Sequence, residues 1–147
     1  MTRRQVRTVF LLALSLFLVS GCSRPAVRFI PDGGSYTLPQ AERKALAVDL
    51  GRVTQMSSSQ AEAQRRLALA SLRREGREGS AAADLLTSRF PTKSSDVPAY
   101  VEVARVDQKD ALLVVDAVPG ANGRLSSKRL WVFDRRTGDV ILSTRMR

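Results

Sequence analysis

Histidine is absent from this chain of 147 residues, and cysteine occurs once, at Cys22. Without histidine, the chain lacks a Ser-His-Asp triad, a Cys-His pair, an imidazole base and the most common metal ligand. A single cysteine excludes a disulfide within the chain. Aromatic residues are also scarce, at 5% of the sequence with one tryptophan, Trp131. We therefore predict that the protein is not an enzyme, with no catalytic residues, cofactor or metal site.

The acidic residues and glycine-rich loops do not change this prediction. Asp107 and Asp110 flank one predicted turn and Asp134 and Asp139 flank another, and aspartate is common in turns for its own conformational reasons. No EF-hand spacing occurs. The glycine loop at residues 120–123, GANG, lacks the Lys-Ser/Thr ending of a phosphate-binding loop. Composition does not exclude acid-based glycosidase chemistry.

The first 22 residues carry an export pattern. Residues 1–7, MTRRQVR, hold three arginines and no acid, and residues 9–20, VFLLALSLFLVS, are mostly apolar. This apolar run matches the length of a secretory signal and is short for a membrane span, which needs about 20 residues. Two small residues, Ser20 and Gly21, then precede Cys22.

The segment LVSGC, residues 18–22, resembles the lipobox of bacterial lipoproteins. Ser20 and Gly21 match its small residues, and Val19 keeps the aliphatic character of the usual leucine. The resemblance implies that the Cys22 thiol carries a diacylglycerol, that the chain is cut before Cys22 and that the new amino group is acylated. Two or three acyl chains anchor a protein stably in a membrane. The alternative is an uncleaved signal anchor with a chance cysteine.

The resemblance also implies a location in the cell envelope. The residue after Cys22 is Ser23 rather than aspartate, which in lipoprotein sorting favours the outer membrane, facing the periplasm, if the host has two membranes. The arginines of TRRQVR weakly resemble a twin-arginine signal, whereas the leucine-rich run is typical of general secretion. We expect a membrane contact through the lipid on Cys22 and no cytoplasmic nucleic acid as a partner.

Basic residues outnumber acidic ones, 24 to 14, which gives the chain a net charge of +10. Removal of residues 1–21 takes away three arginines and leaves a net charge of about +7. Such a domain at a membrane surface is attracted to anionic lipid headgroups or to a cell-wall polymer. The alternative is an ordinary solvated surface that is rich in arginine.

The chain after the signal divides into a linker and one domain. Residues 22–38 are predicted to be the lipidated N-terminus and a linker, because prolines and paired glycines disfavour a helix. Within them, Val27, Phe29 and Ile30 form a short apolar group that also suits an added strand. Residues 39–147 are predicted to form a single small α+β domain.

Helical periodicity precedes strand periodicity in this domain. The capping signals at Thr37 and Ser59, with apolar stripes, predict helices over residues 39–55 and 59–75, and a third over 80–90. The second helix also carries arginines that we expect on its wet or headgroup-facing sides: Arg65, Arg66, Arg73 and Arg74. Four strands are then predicted, as an antiparallel meander with the helices on one face: 99–106, 111–118, 128–134 and 139–144.

The third predicted strand offers a candidate interaction surface. Arg129, Trp131, Phe133 and Arg135 share one face by the two-residue period of a strand. Rings provide stacking area and arginines pair with phosphate or carboxylate. The alternative is that the two rings are core beneath the helices. The second and third strands are apolar on both sides, which predicts that both faces are covered or that one meets a partner.

These features predict a non-catalytic, lipid-anchored envelope protein that is an accessory or interaction subunit of an envelope assembly, with another envelope protein as its partner. The alternative is an envelope module that binds polyanions or anionic lipids. Binding of that kind weakens steeply with salt.

Overall fold

The structure is a computed structural model that describes residues 26–90 and 94–146. These residues form a mixed sheet with helices on both sides. In chain order the elements are β1 (Arg28–Ile30), β2 (Ser35–Tyr36), α1 (Leu38–Ala47), α2 (Ala61–Arg73), α3 (Gly76–Arg89), β3 (Val97–Val106), β4 (Lys109–Val118), β5 (Ser127–Asp134) and β6 (Val140–Met146). Two short 3-10 helices, Gly51–Gln55 and Ser58–Gln60, connect α1 to α2. The signal-like segment and Cys22 lie outside the described residues.

The predicted α+β class is confirmed, and β3 to β6 pair consecutively as antiparallel neighbours. The β3–β4 hairpin turns at Asp107 and Gln108, whose φ angles are 46° and 67°. Two positive φ angles in a two-residue loop match the right-handed twist of the flanking strands. Gly138 has a φ of 73° in the β5–β6 turn, and the pairing shifts between Val132 and Phe133. The turn lies where Asp134 and Asp139 were predicted to flank one, and the shift in pairing marks a β-bulge beside it.

The prediction of a four-stranded, antiparallel sheet is wrong, because β1 and β2 add two short parallel strands along the outer edge of β3. Much of the predicted linker, residues 22–38, therefore belongs to the fold, and strands precede the helices. The physical reason is burial: Val27 is 1% exposed, and Phe29 and Ile30 pack against the core. Both strands also give partners to backbone groups that β3 would otherwise expose.

Two helix boundaries depart from prediction, one where Val48 takes an extended backbone after α1 and one at Gly76. The first helix ends at Ala47 rather than near Gln55, and Gly51, with a φ of 60°, begins a 3-10 turn instead. Gly76, with a φ of 78°, starts α3 four residues before the predicted position, Ser80. Glycine has no Cβ and adopts positive φ readily, so it lets the chain change direction between consecutive helices.

The helices cover both faces of the sheet rather than the single face predicted. Helix α1 and the 3-10 turns cover one side, the α1 face, through a core that includes Ala41, Ala45, Leu113, Leu130 and Val132. Helices α2 and α3 cover the other side, the α2/α3 face, through a core that includes Leu72, Leu86, Leu112, Val114 and Phe133. Successive residues of β4 and β5 thus face different helices, which explains why these strands are apolar on both sides.

Candidate functional site

The four residues of the predicted interaction surface lie on β5 and just beyond it, on the side of α2 and α3. Phe133 is fully buried, so it belongs to the core and offers no contact area to a partner. Trp131 is half-buried. Arg129 and Arg135 remain at the surface. The part of this face that a partner reaches is therefore smaller than the pattern predicted and consists of one half-buried ring and two arginines.

Aromatic packing holds Trp131 against the domain. Its ring centroid lies 4.9 Å from that of Phe90 in an edge-to-face arrangement and 5.9 Å from that of Phe133 in a stacked one. Phe90 is the residue that caps the C-terminal end of α3. Offset and edge-to-face pairs of this kind each add about 1 kcal/mol to the effect of burial. The three rings lock the end of α3 onto β5.

Both arginines of the predicted surface are paired with carboxylates. The Arg129 Nη1 atom lies 2.8 Å from the Asp96 Oδ2 atom, and its guanidinium lies 5.6 Å from the centre of the Trp131 ring. Arg135 pairs with Glu78 in the first turn of α3. These contacts orient the two guanidinium groups and leave each of them partly exposed, so each retains donors for a further anion.

We expected Arg65 on a wet or headgroup-facing side of α2. Instead, Arg65 is 2% exposed and lies beneath Phe90. Its guanidinium donates to the carbonyl oxygens of Asp96, at 2.9 Å, and Leu86, at 3.1 Å, and lies 5.1 Å from the centre of the Phe90 ring. Burial lowers the pKa of Arg65, and the nearby charges of Asp116 and Asp96 oppose this effect. The hydrogen bonds tie α2 to the end of α3 and to the start of β3.

Asp116 is the most enclosed carboxyl group on this side of the sheet, at 1% exposure. Its Oδ2 atom accepts a hydrogen bond of 3.1 Å from the Trp131 indole, whereas its Oδ1 atom has no partner among the described residues. Burial raises the pKa of Asp116 to about 7, and the charge of Asp96 adds to this effect. A carboxyl group so enclosed is a structural group that titrates near neutrality and that no substrate reaches in this conformation.

A second buried carboxylate, Glu102, lies on the α1 face. It accepts hydrogen bonds from the hydroxyls of Tyr36, at 2.9 Å, and Tyr100, at 2.6 Å, and from the backbone N–H of Gly34, at 3.0 Å. The Lys44 ammonium lies 2.9 Å from its Oε2 atom. Through these four groups, Glu102 joins β3 to β2 and α1.

The pKa values of this cluster favour its charged form. Burial acts to raise the pKa of Glu102, but the hydrogen bonds from Tyr100 and Lys44 outweigh it and lower that pKa below its ordinary value. Burial likewise acts to lower the pKa of Lys44, and its bonds to Tyr36 and Glu102 raise it instead. Burial and the bond to Glu102 raise the pKa of Tyr100 to about 12. The cluster is a satisfied ion pair within the fold.

The sequence contains a weak signal for these two carboxylates. Glu102 and Asp116 each interrupt an apolar run within a predicted strand, and an acid in that setting is either paired or neutral. The sequence does not indicate that Lys44 pairs with Glu102 or that the charge of Arg65 lies near Asp116, because these basic residues are about 50 residues or more away along the chain. Neither residue shows a spacing that links it to the strands.

The two ends of the sheet differ in charge. We define the basic end as the end of the sheet where β1, β3 and β5 begin, together with the loop 119–126. Five of its charged residues are basic and two are acidic: Arg28, Asp96, Asp116, Arg124, Lys128, Arg129 and Arg145. At the opposite end, here called the turn end, four are basic and four acidic: Arg105, Asp107, Lys109, Asp110, Asp134, Arg135, Arg136 and Asp139. The positive charge of the sheet ends is therefore concentrated at the basic end.

Two surface grooves accompany these features. One of about 330 Å³ lies between α2 and α3 and is lined by Glu62, Arg65, Arg66, Leu69, Arg73, Thr87 and Phe90. The other, of about 520 Å³, is open and lies beside the β3–β4 turn, lined by Ser35, Tyr36, Thr37, Gln40, Arg105, Asp107 and Gln108. Neither groove gathers the paired carboxylates or the nucleophile and base that hydrolytic chemistry requires.

Comparison with other proteins yields no relative: no family model, curated protein or solved structure matches the chain. Across residues 26–90 and 94–146, no three acidic or cysteine side chains form a group suited to a metal ion. Within the same residues, no helix has the length and apolar character needed to cross a membrane.

Proposed function

We propose that this protein is a non-catalytic, lipid-anchored component of the cell envelope that acts as an accessory or interaction subunit of an envelope assembly. The observation that carries the proposal is the N-terminal pattern: a basic start, a short apolar run and two small residues before Cys22. The lipid on Cys22 attaches the domain to the membrane. With Ser23 after the cysteine, the protein resides at the outer membrane, facing the periplasm, if its host has two membranes.

The interaction role draws support from the edge of the sheet and not from its faces. Both faces of β4 and β5 are covered by helices, so their apolar character no longer calls for a partner. Strand β6 is the last strand of the sheet, and no described strand pairs with its outer edge. Val140 on this strand is 47% exposed. An open edge offers backbone donors and acceptors to a strand of another protein.

The anchor is tested by comparing the wild type with Cys22→Ser in membrane fractions of the producing cell, with Ser23→Ala as the matched control. The proposal expects the wild type and the control in the membrane fraction, and Cys22→Ser without lipid. Crosslinking in intact membranes followed by affinity purification then tests the subunit role. A rigid monomer that captures no envelope protein, from membranes in which it is lipidated, would contradict that role.

The alternative function, an envelope module that binds anionic lipid or cell-wall polymer, is favoured by the concentration of basic residues at one end of the sheet. Arg28, Arg124 and Arg145 are exposed there. Binding to vesicles or to purified anionic wall polymer should be measurable at low salt and should fall steeply as salt is added. Absence of binding at low ionic strength would contradict this alternative.

A further inference from the structure

We infer that the basic end of the sheet docks against the anionic headgroups of the same bilayer that holds the lipid of Cys22. This inference rests on the proposed lipid anchor and adds the surface and the orientation with which the domain meets the membrane. It follows from the short chain between the anchor and the core, from the position where that chain enters the fold, and from the charges around that position.

The chain between Cys22 and the core is short. Val27, five residues after Cys22, is already buried at 1% exposure. Five residues span at most about 18 Å when fully extended. Strand β1 follows directly and runs parallel to β3, with Arg28 opposite Tyr100. The anchored chain therefore enters the fold at the basic end.

This attachment separates the two ends of the sheet with respect to the membrane. Because Arg28 lies opposite Tyr100, Val27 is level with Ala99, and about seven residues of β3, or about 23 Å, separate this entry point from the turn end. The link of five residues, at most about 18 Å long, is shorter than this distance, so the turn end cannot replace the basic end at the headgroups by inversion of the domain. The basic end lies within reach of the bilayer in every upright orientation.

The charges at the basic end favour contact with an anionic surface. Of its two acids, Asp116 is enclosed and Asp96 is paired with Arg129. Arg145 donates to the carbonyl oxygen of Pro119, which holds its side chain beside the loop 119–126, and Lys128 donates to that of Leu46, which holds its side chain at the end of α1. Each basic residue near an anionic membrane strengthens association about fivefold.

One apolar side chain adds to this surface. Leu46 is 51% exposed at the end of α1, and its carbonyl oxygen accepts the hydrogen bond from Lys128. An exposed leucine beside a lysine suits the boundary between headgroups and acyl chains, where apolar area and positive charge both contribute. At the tip of the neighbouring loop, residues 121–123 are small or polar and exposed, so they do not obstruct approach.

The test uses the full lipidated protein in vesicles and takes advantage of its single native cysteine. When Cys22 carries lipid, a newly introduced cysteine is the only thiol that a fluorophore modifies. Ala121→Cys places the label at the basic end, and Lys109→Cys places it at the turn end. Quenching by headgroup spin-labelled lipid is measured in phosphatidylcholine vesicles with and without phosphatidylglycerol. Lipidation is verified by mass spectrometry.

Docking predicts strong quenching of the label at residue 121 in the presence of phosphatidylglycerol and weak quenching in phosphatidylcholine alone or at high salt. The label at residue 109 should be quenched weakly in all three conditions. The variant Arg124→Gln with Arg145→Gln should weaken docking about 25-fold, since each substitution removes one positive charge. The matched pair Arg105→Gln with Arg136→Gln, at the turn end, should leave docking unchanged.

The outcomes separate the two proposals. If the protein carries lipid on Cys22 but the two labels are quenched equally, or quenching ignores phosphatidylglycerol, the docking surface is wrong and the anchor stands. Equal weakening by the two arginine pairs would also overturn it, because total charge and not the basic end would then be responsible. A chain without lipid on Cys22 overturns the anchor and the docking inference together.

Discussion

Substitution of Asp116 by asparagine should change how the stability of the domain depends on pH. Asp116 is enclosed on the α2/α3 face of the sheet, and burial raises its pKa to about 7 from an ordinary value of 3.8, with a further contribution from the charge of Asp96. The charges of Arg65 and Arg129 and the hydrogen bond from Trp131 oppose this effect without cancelling it. The fold therefore favours the protonated carboxyl group, and asparagine keeps that neutral form at every pH.

The sign and size follow from proton linkage. Because the pKa is higher in the fold than in the unfolded chain, the stabilising contribution of the protonated group is fully present below pH 3.8. It is lost as pH rises through about 7. This difference in pKa corresponds to about 4 kcal/mol in the free energy of unfolding. The free energy of unfolding of Asp116→Asn minus that of the wild type should thus rise by about 4 kcal/mol from pH 4 to pH 8.

Urea unfolding followed by circular dichroism at pH 4, 6 and 8 measures this difference without relying on Trp131, which contacts Asp116. The control is Asp110→Asn, a carboxylate near the start of β4 with a side chain 74% exposed, and it should follow the wild type across the range. A difference between Asp116→Asn and the wild type that stays constant from pH 4 to pH 8 would refute the reasoning.

Three other substitutions test the packing. Phe133→Ala should lower the free energy of unfolding by about 3–5 kcal/mol in urea titrations because Phe133 is fully buried, whereas Leu67→Ala, at a site 55% exposed, should change it by less than about 0.5 kcal/mol; equal losses would contradict the assigned core. Gln108→Gly should raise the melting temperature, with a gain of about 0.5–1 kcal/mol, because it relieves a φ of 67°; a decrease would contradict the turn. Glu102→Gln should lower the free energy of unfolding by about 1.5–3 kcal/mol at pH 7, and by less in acid. The pKa of Glu102 is lowered in the fold, so the stabilisation by its charge is present above the pKa in the unfolded chain and is lost as pH falls through the pKa in the fold. A loss of free energy in urea unfolding that does not shrink between pH 7 and pH 3 would contradict the ion pair.

The meander was predictable because its signals are local. Strands β3 to β6 alternate or run apolar over seven residues or more, and each connecting turn contains residues suited to it, including Gly138. The short parallel strands β1 and β2 have three and two residues, too few for a period to show. Their pairing depends on β3, about 70 residues later, which no local pattern indicates.

The candidate site was predictable in part. The period of β5 correctly places Trp131 and Phe133 on one face, but exposure depends on what covers that face, and Phe90 and Leu86 of the helical region do so. Arg65 was expected among solvated arginines because sequence composition does not distinguish a wet arginine from one whose donors are satisfied by carbonyl groups far along the chain. The basic end is recognisable only in the structure, where the register of the strands brings arginines from separate parts of the chain together.

The central claim, a lipid anchor at Cys22, is tested most directly by the mass of the N-terminal peptide of the protein purified from membranes. We predict that the mature chain begins at Cys22 and carries a diacylglycerol on the thiol and, where the host acylates it, a further chain on the amino group. A peptide that retains residues 1–21, or a mature chain with a free thiol at Cys22, would contradict the account.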